Sequence, residues 1–113
     1  MWAGEINAAN NNIFLGNGSG NISTTGKYNT AYGSLAFNTV RAGSSNTAIG
    51  FQALFSNTSG SSNTAIGRGS LYSNNTGVSN TANGFQSLYN NAGGSGNTAN
   101  GVNDLISNTG GSN

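Results

Sequence analysis

The clearest pattern in the chain is an arrangement of apolar and polar positions that recurs with a 17-residue period. The tripeptide Asn-Thr-Ala opens five such units, which begin at residues 29, 46, 63, 80 and 97. In every unit, positions five and fifteen are glycine and position nine is a large apolar residue. A repeat of this kind has to be identified before local structure is assigned, because it determines the whole fold.

A 17-residue unit is too short for a repeat of paired helices and suits one coil of a β-solenoid. In such a fold each strand lies about 4.8 Å from the preceding one, so identical side chains form ladders along the axis. We predict an all-β fold, a parallel β-solenoid or β-roll. Residues 1–11 form an N-terminal connector, and residues 12–113 form one degenerate and five regular 17-residue coils. Since the last residue completes a unit, we expect a fragment of a longer fibre.

Three sets of repeat positions have predicted structural roles. Asn amides can bond from coil to coil and Thr suits a pleated surface, which predicts a structural ladder of Asn29, Asn46, Asn63, Asn80, Asn97, Thr30, Thr47, Thr64, Thr81 and Thr98. Position nine predicts a buried column of Phe37, Leu54, Leu71, Leu88 and Leu105. Glycine suits corners where φ is positive or two backbones approach closely, as predicted for Gly33, Gly50, Gly67, Gly84 and Gly101.

Two features of each coil stay open at this level. Residues 51–57 on the second side suit a strand or irregular extended backbone better than one helical turn with Phe51 and Phe55 four residues apart. On the strand, positions two and four face one way and positions one, three and five the other. Position four becomes polar at Asn83 and Asn100, which fits either polar layers at a trimer axis or an outward column.

Composition and charge exclude several function classes. The chain has 22 Asn, 19 Gly, 16 Ser and 11 Thr, no His and no Cys, and a formal net charge of +1. That charge is too small to attract nucleic acid, and no apolar run approaches the length of a membrane span. Without His or Cys, and with Glu5 and Asp104 far apart, we predict no catalytic, cofactor or metal site and therefore no enzyme.

The repeats at residues 46–62 and 63–79, NTAIGFQALFSNTSGSS and NTAIGRGSLYSNNTGVS, resemble the hep/Hag-type head repeats of trimeric autotransporter adhesins. The 17-residue form is also similar to repeats in phage tail fibres and in bacterial surface proteins that end in an intramolecular chaperone domain. The resemblance covers residues 12–113 and implies a trimeric, left-handed parallel β-roll for surface display. The small apolar content of each unit independently predicts homo-oligomerisation, because a lone coil buries little apolar surface.

The expected function is that of a non-enzymatic structural or adhesive fibre module, in an extracellular adhesin or a phage tail fibre, on a cell surface or virion tail. Its expected partners are copies of itself, as a homotrimer, and a glycan or protein receptor. The alternative is a glycan-binding module that uses the aromatic residues Phe51, Phe55, Tyr72, Phe85 and Tyr89, with Arg68 beside Tyr72. Ice binding by the Thr column is a further alternative, which the adjacent bulky position four disfavours.

Overall fold

In the part of the chain that the structure describes, seven strands form one sheet and follow one another in chain order. The computed structural model describes residues 4–7, 9–20 and 23–111. The strands are β1 (Gly4–Asn7), β2 (Asn12–Leu15), β3 (Thr30–Tyr32), β4 (Thr47–Ile49), β5 (Thr64–Ile66), β6 (Thr81–Asn83) and β7 (Thr98–Asn100). β1 pairs antiparallel with β2, and all later pairs are parallel with partners one repeat apart. The predicted parallel β-solenoid of 17-residue coils is confirmed.

Each regular strand directs its alanine to the interior and its threonine to the outside. The alanines at position three are buried, as are the asparagines at position one, whereas position four is exposed in every regular coil. This alternation follows from the two-residue period of a strand. The small alanine side chain keeps the interior narrow, so the coil closes with few large residues inside. No helix that could span a membrane is found in the described ranges.

The second side of the coil consists of consecutive turns, so the expectation of strand or extended backbone there was wrong. In the second regular coil, Gln52 and Leu54 have φ angles of 59° and 51°. Left-handed residues interrupt a strand. The backbone still bonds along the axis, because Gln52 N–H donates to the Ser34 carbonyl at 3.1 Å and Leu54 N–H donates to the Ser70 carbonyl at 3.0 Å. The turns therefore replace strand pairing without losing contact with either neighbouring coil.

The core is one column of large side chains against a column of alanines. Phe37, Leu54, Leu71 and Leu88 are fully buried, and Leu105 packs half-buried against the same cluster. In the degenerate coil the sizes are exchanged, since Phe14 stands at position three and Gly20 at position nine. A Cβ at Gly20 would lie 2.1 Å from the Phe14 ring, so this ring fills the space that position nine fills elsewhere. The interior volume is thus preserved by a paired exchange.

The glycines at the two corners are required for different reasons. At position five, Gly50 has φ +130°, and a Cβ there would lie 2.7 Å from the carbonyl carbon of Gly67. At position fifteen the φ angle is ordinary, but a Cβ on Gly60 would lie 2.4 Å from the Gly77 oxygen. Both corners therefore depend on close approach between successive coils, and position five also depends on backbone conformation.

Leu71→Ala tests the buried column. Leu71 is fully buried in the third regular coil, so we expect its truncation to lower the free energy of unfolding by about 2–5 kcal/mol. Urea denaturation followed by circular dichroism measures this change. Val78→Ala in the same coil is the control, since Val78 is 42% exposed. Equal losses in both variants would contradict the assignment of position nine to the core.

Candidate functional site

The asparagines at position one form a continuous ladder inside the solenoid. The backbone N–H and Nδ2 of Asn63 donate to Oδ1 of Asn46 at 2.9 and 3.1 Å. The Nδ2 group also donates to the carbonyl of Gly77 at 2.8 Å, and Oδ1 accepts the backbone N–H of Asn80 at 2.9 Å. The five members of the ladder, Asn29, Asn46, Asn63, Asn80 and Asn97, are at most 1% exposed. Their amides serve the interior and leave no surface for a ligand.

A second asparagine ladder, which was not predicted from the sequence, lies at position twelve. Asn74 Nδ2 donates to Oδ1 of Asn57 at 3.0 Å, and Asn91 Nδ2 donates to Oδ1 of Asn74 at 2.8 Å. Each of these amides also bonds to the carbonyl of the glycine three residues later. The signal in the sequence was an Asn at residues 57, 74, 91 and 108, which the abundance of Asn elsewhere concealed.

The outer face of the strands carries the columns at positions two and four. Thr30, Thr81 and Thr98 are exposed, and Thr47 and Thr64 are half-buried. Beside them, position four is exposed throughout, with Ile49 and Ile66 at 39% and 40%. In the last two coils this column is polar, and Asn83 Nδ2 donates to Oδ1 of Asn100 at 3.2 Å. The column at position four is therefore apolar in the second and third regular coils and polar in the last two.

The aromatic residues at position ten stack on one another from coil to coil. The rings of Phe55 and Tyr72 lie 5.0 Å apart at 9°, and those of Tyr72 and Tyr89 lie 4.8 Å apart at 4°. All three side chains are half-buried. A sugar stacks on the face of an aromatic ring, but both faces of Tyr72 are already covered by its neighbours. Phe55, Tyr72 and Tyr89, which the sequence suggested as glycan contacts, are thus stacked on one another from coil to coil, and of the three only Tyr72 has both ring faces covered in this stack.

The residues at position six form the most distinctive surface feature. Phe51 and Phe85 are each 41% exposed, and Arg68 of the intervening coil is exposed between them. The Cζ atom of Arg68 lies 5.5 Å from the Phe51 ring centroid and 5.9 Å from that of Phe85. Arg68 therefore interacts with these two rings, whereas the sequence had suggested Tyr72 as its neighbour. Cation–π contact with both rings holds the guanidinium in place at the surface.

Other surface features offer little chemistry. The residues that the structure describes contain no group of three or more His, Cys, Asp or Glu side chains that could hold a metal ion. An open depression of about 480 Å³ is lined by Leu15, Gly16, Tyr32 and Gly33. It is predominantly apolar, and the phenol of Tyr32, which is 61% exposed, is the one side-chain polar group among its lining residues.

Comparison with known proteins gives no direct indication of function: no family model, curated protein or solved structure matches the chain significantly. The candidate functional surface is therefore defined by geometry alone. It comprises the outer strand face at positions two and four and the exposed column at position six.

Asn63→Ala tests the ladder at position one. The change leaves the buried Asn80 N–H without its acceptor and removes one of the two side-chain bonds to the Gly77 carbonyl, so we expect a loss of about 1–3 kcal/mol in unfolding free energy. The matched control is Asn83→Ala, which removes an exposed Asn on the outer face and should change stability by about 0.5 kcal/mol or less. Thermal and urea denaturation of the two variants compare them directly. Equal stability would contradict a structural role for the ladder.

Proposed function

We propose that the protein is a non-enzymatic structural module of a fibre, in an extracellular adhesin or a phage tail fibre, that associates as a homotrimer and displays a receptor-binding surface. The observation that carries this proposal is the unbroken axial stack, in which β2 to β7 pair only with their immediate neighbours. A module of this type gains length by adding coils, because each coil presents the same bonding pattern as the one before. Length and stiffness are what a fibre needs.

The bonding along the axis supports a mechanical role. Backbone hydrogen bonds link successive coils on both sides of the coil. The asparagine ladders at positions one and twelve add side-chain hydrogen bonds between coils. Buried amide bonds of this kind resist unfolding because a broken one leaves a desolvated donor or acceptor. A rod with bonds of this kind between all neighbouring coils would transmit force along its length.

The balance of buried and exposed apolar residues supports self-association. Inside the second to fourth regular coils the one large apolar side chain is the residue at position nine, accompanied by alanine or serine and by two asparagines. At the same time, Ile49 and Ile66 remain exposed on the outer strand face. Association through this face would bury them. In a trimer that meets there, Asn83 and Asn100 form polar layers that fix the alignment of the chains.

Ice binding has weaker support. The Thr column lies on the outer face, as that function requires. A flat surface is also required, however, and Tyr32, 61% exposed, stands in the adjacent column beside the isoleucines. Because these bulky residues rise next to the threonines, the face favours association with another chain over the ordering of water.

The mass of the protein in solution tests the proposal. Light scattering at two concentrations should give three times the chain mass of 11.3 kDa, with a β-rich circular dichroism spectrum. A folded monomer would contradict the proposal.

Ile66→Asn then locates the interface. Asn already occupies the same column at Asn83 and Asn100, so the coil should accept it, while the apolar contact between chains is lost. We expect a shift toward the monomer mass. Val78→Asn is the control, because it makes the same kind of change at a residue of similar exposure, 42%, at position sixteen. An unchanged trimer in the Ile66 variant would place the interface elsewhere.

A further inference from the structure

Three successive coils build a symmetrical surface feature around Arg68. The coils on either side contribute Phe51 and Phe85 at position six, and the middle coil contributes the guanidinium between them. The two phenylalanines are two strand spacings apart, which is about 10 Å along the axis. An aromatic ring therefore lies on each side of a fixed positive charge, in a line parallel to the solenoid.

The neighbouring column at position seven has the same symmetry. Gln52 and Gln86 occupy it in the outer two coils, and Gly69 occupies it in the middle coil. The three residues share a left-handed backbone, with φ of 59°, 54° and 68°, so the conformation does not demand glycine at residue 69. A Cβ at Gly69 would lie 3.3 Å from the Tyr89 ring and 3.5 Å from the Gln86 side chain, and no backbone atom is among its three nearest neighbours. Within this column, Gly69 is thus the position that carries no side chain beside Arg68.

The positive charge of Arg68 is not paired with an acidic side chain in the described part of the chain. Arg68 is the only charged residue between Arg41 and Asp104. Within the described residues, its guanidinium has no hydrogen-bond or ion-pair partner, and neither do the side-chain amides of Gln52 and Gln86. Five guanidinium donors and two complete amides are thus available to an external ligand.

These groups together suit an acidic sugar chain. The apolar C–H face of a sugar ring packs on an exposed aromatic ring, amides bond to sugar hydroxyls, and a guanidinium binds a carboxylate through two parallel hydrogen bonds. The single positive charge of Arg68 matches the single charge of a carboxylate. The separation of the two rings suits an extended oligosaccharide that lies along the axis with its acid group between them.

We propose that Phe51, Arg68 and Phe85, with Gln52 and Gln86, form a binding site for a carboxylate-bearing oligosaccharide. This inference rests on the proposed function, because it names the chemical class of the receptor that the displayed surface would bind. Ligand specificity resides in the second to fourth regular coils. The other coils lack the site, since position six holds Ser34 in the first and Val102 in the fifth.

Paired acidic and neutral probes test the proposal on the whole chain. Sialyllactose is compared with lactose, and oligosaccharides containing glucuronic acid are compared with their carboxyl-reduced forms, by isothermal titration calorimetry at low and physiological salt. We expect an acidic probe to bind about tenfold more tightly than its neutral counterpart, the scale of one charge-assisted pair, and to lose part of this preference as salt rises. Absence of any preference for the acidic probes would overturn the proposal.

Three variants assign the binding to the site. Arg68→Gln should reduce binding of an acidic probe to the level of the neutral one, whereas Arg41→Gln, which removes the same charge from an exposed residue outside the site, should leave it unchanged. Gly69→Gln introduces the residue found at positions 52 and 86, so the coil should fold while the added side chain beside Arg68 weakens the binding of both probes. Phe51→Ser introduces the residue that stands at Ser34 and should weaken both probes. Equal effects of the two arginine variants would overturn the proposal.

Light scattering and circular dichroism on the same samples separate this proposal from the proposed fibre. All of these variants should keep the mass and spectrum of the original chain. A changed mass in the Arg68 or Phe51 variant would mean that position six contacts another copy, which would overturn the binding site and leave the fibre proposal standing. A trimer that binds no acidic probe would do the same, whereas a folded monomer that binds one would support the site and contradict the fibre.

Discussion

The coil-to-coil amide bond of the buried asparagines is the interaction on which the rest of the structure depends. The interior of each coil is too narrow for a large apolar core, and alanine occupies the position next to the Asn ladder. The side chain of Asn63 joins the coils of Asn46 and Asn80 and also bonds to the Gly77 carbonyl beside the corner. A shift of one residue would leave these buried amides without partners, so the ladder fixes the 17-residue register.

Packing in the core overrides local backbone preference. Leucine or phenylalanine takes a left-handed conformation at position nine in all five regular coils, although L-residues with side chains rarely adopt it and it costs about 1–2 kcal/mol per residue. Glycine would relieve this strain but would leave the core empty. Burial of the large side chain, together with the hydrogen bond from the backbone N–H to the neighbouring coil, therefore outweighs the cost of the left-handed conformation at this position. The exchange of Phe14 and Gly20 in the degenerate coil shows the same priority of interior volume.

With the interior fixed, the outer columns are free to vary from coil to coil, and function is assigned to them. Position four changes from isoleucine to asparagine without a change of backbone, and position six varies through serine, phenylalanine, arginine and valine. The outer strand face suits association with copies of the chain, and the column around Arg68 suits a ligand. The solenoid thus separates a uniform bonding axis from a variable surface, which is the combination that the proposed fibre module requires.

The sequence by itself determined the period, the β-solenoid architecture, the alternation along each strand and the columns at positions one, three, five and nine, because each is a repeated constraint visible in one unit after another. Only the tertiary structure decided which strand face is inward, that the second side is made of turns, and that Asn57 belongs to a buried ladder. It also associated Arg68 with Phe51 and Phe85 instead of Tyr72. The physical reason is that side chains one repeat apart become neighbours only when coils stack. Closeness along the chain within one repeat is therefore a poor guide to which side chains touch.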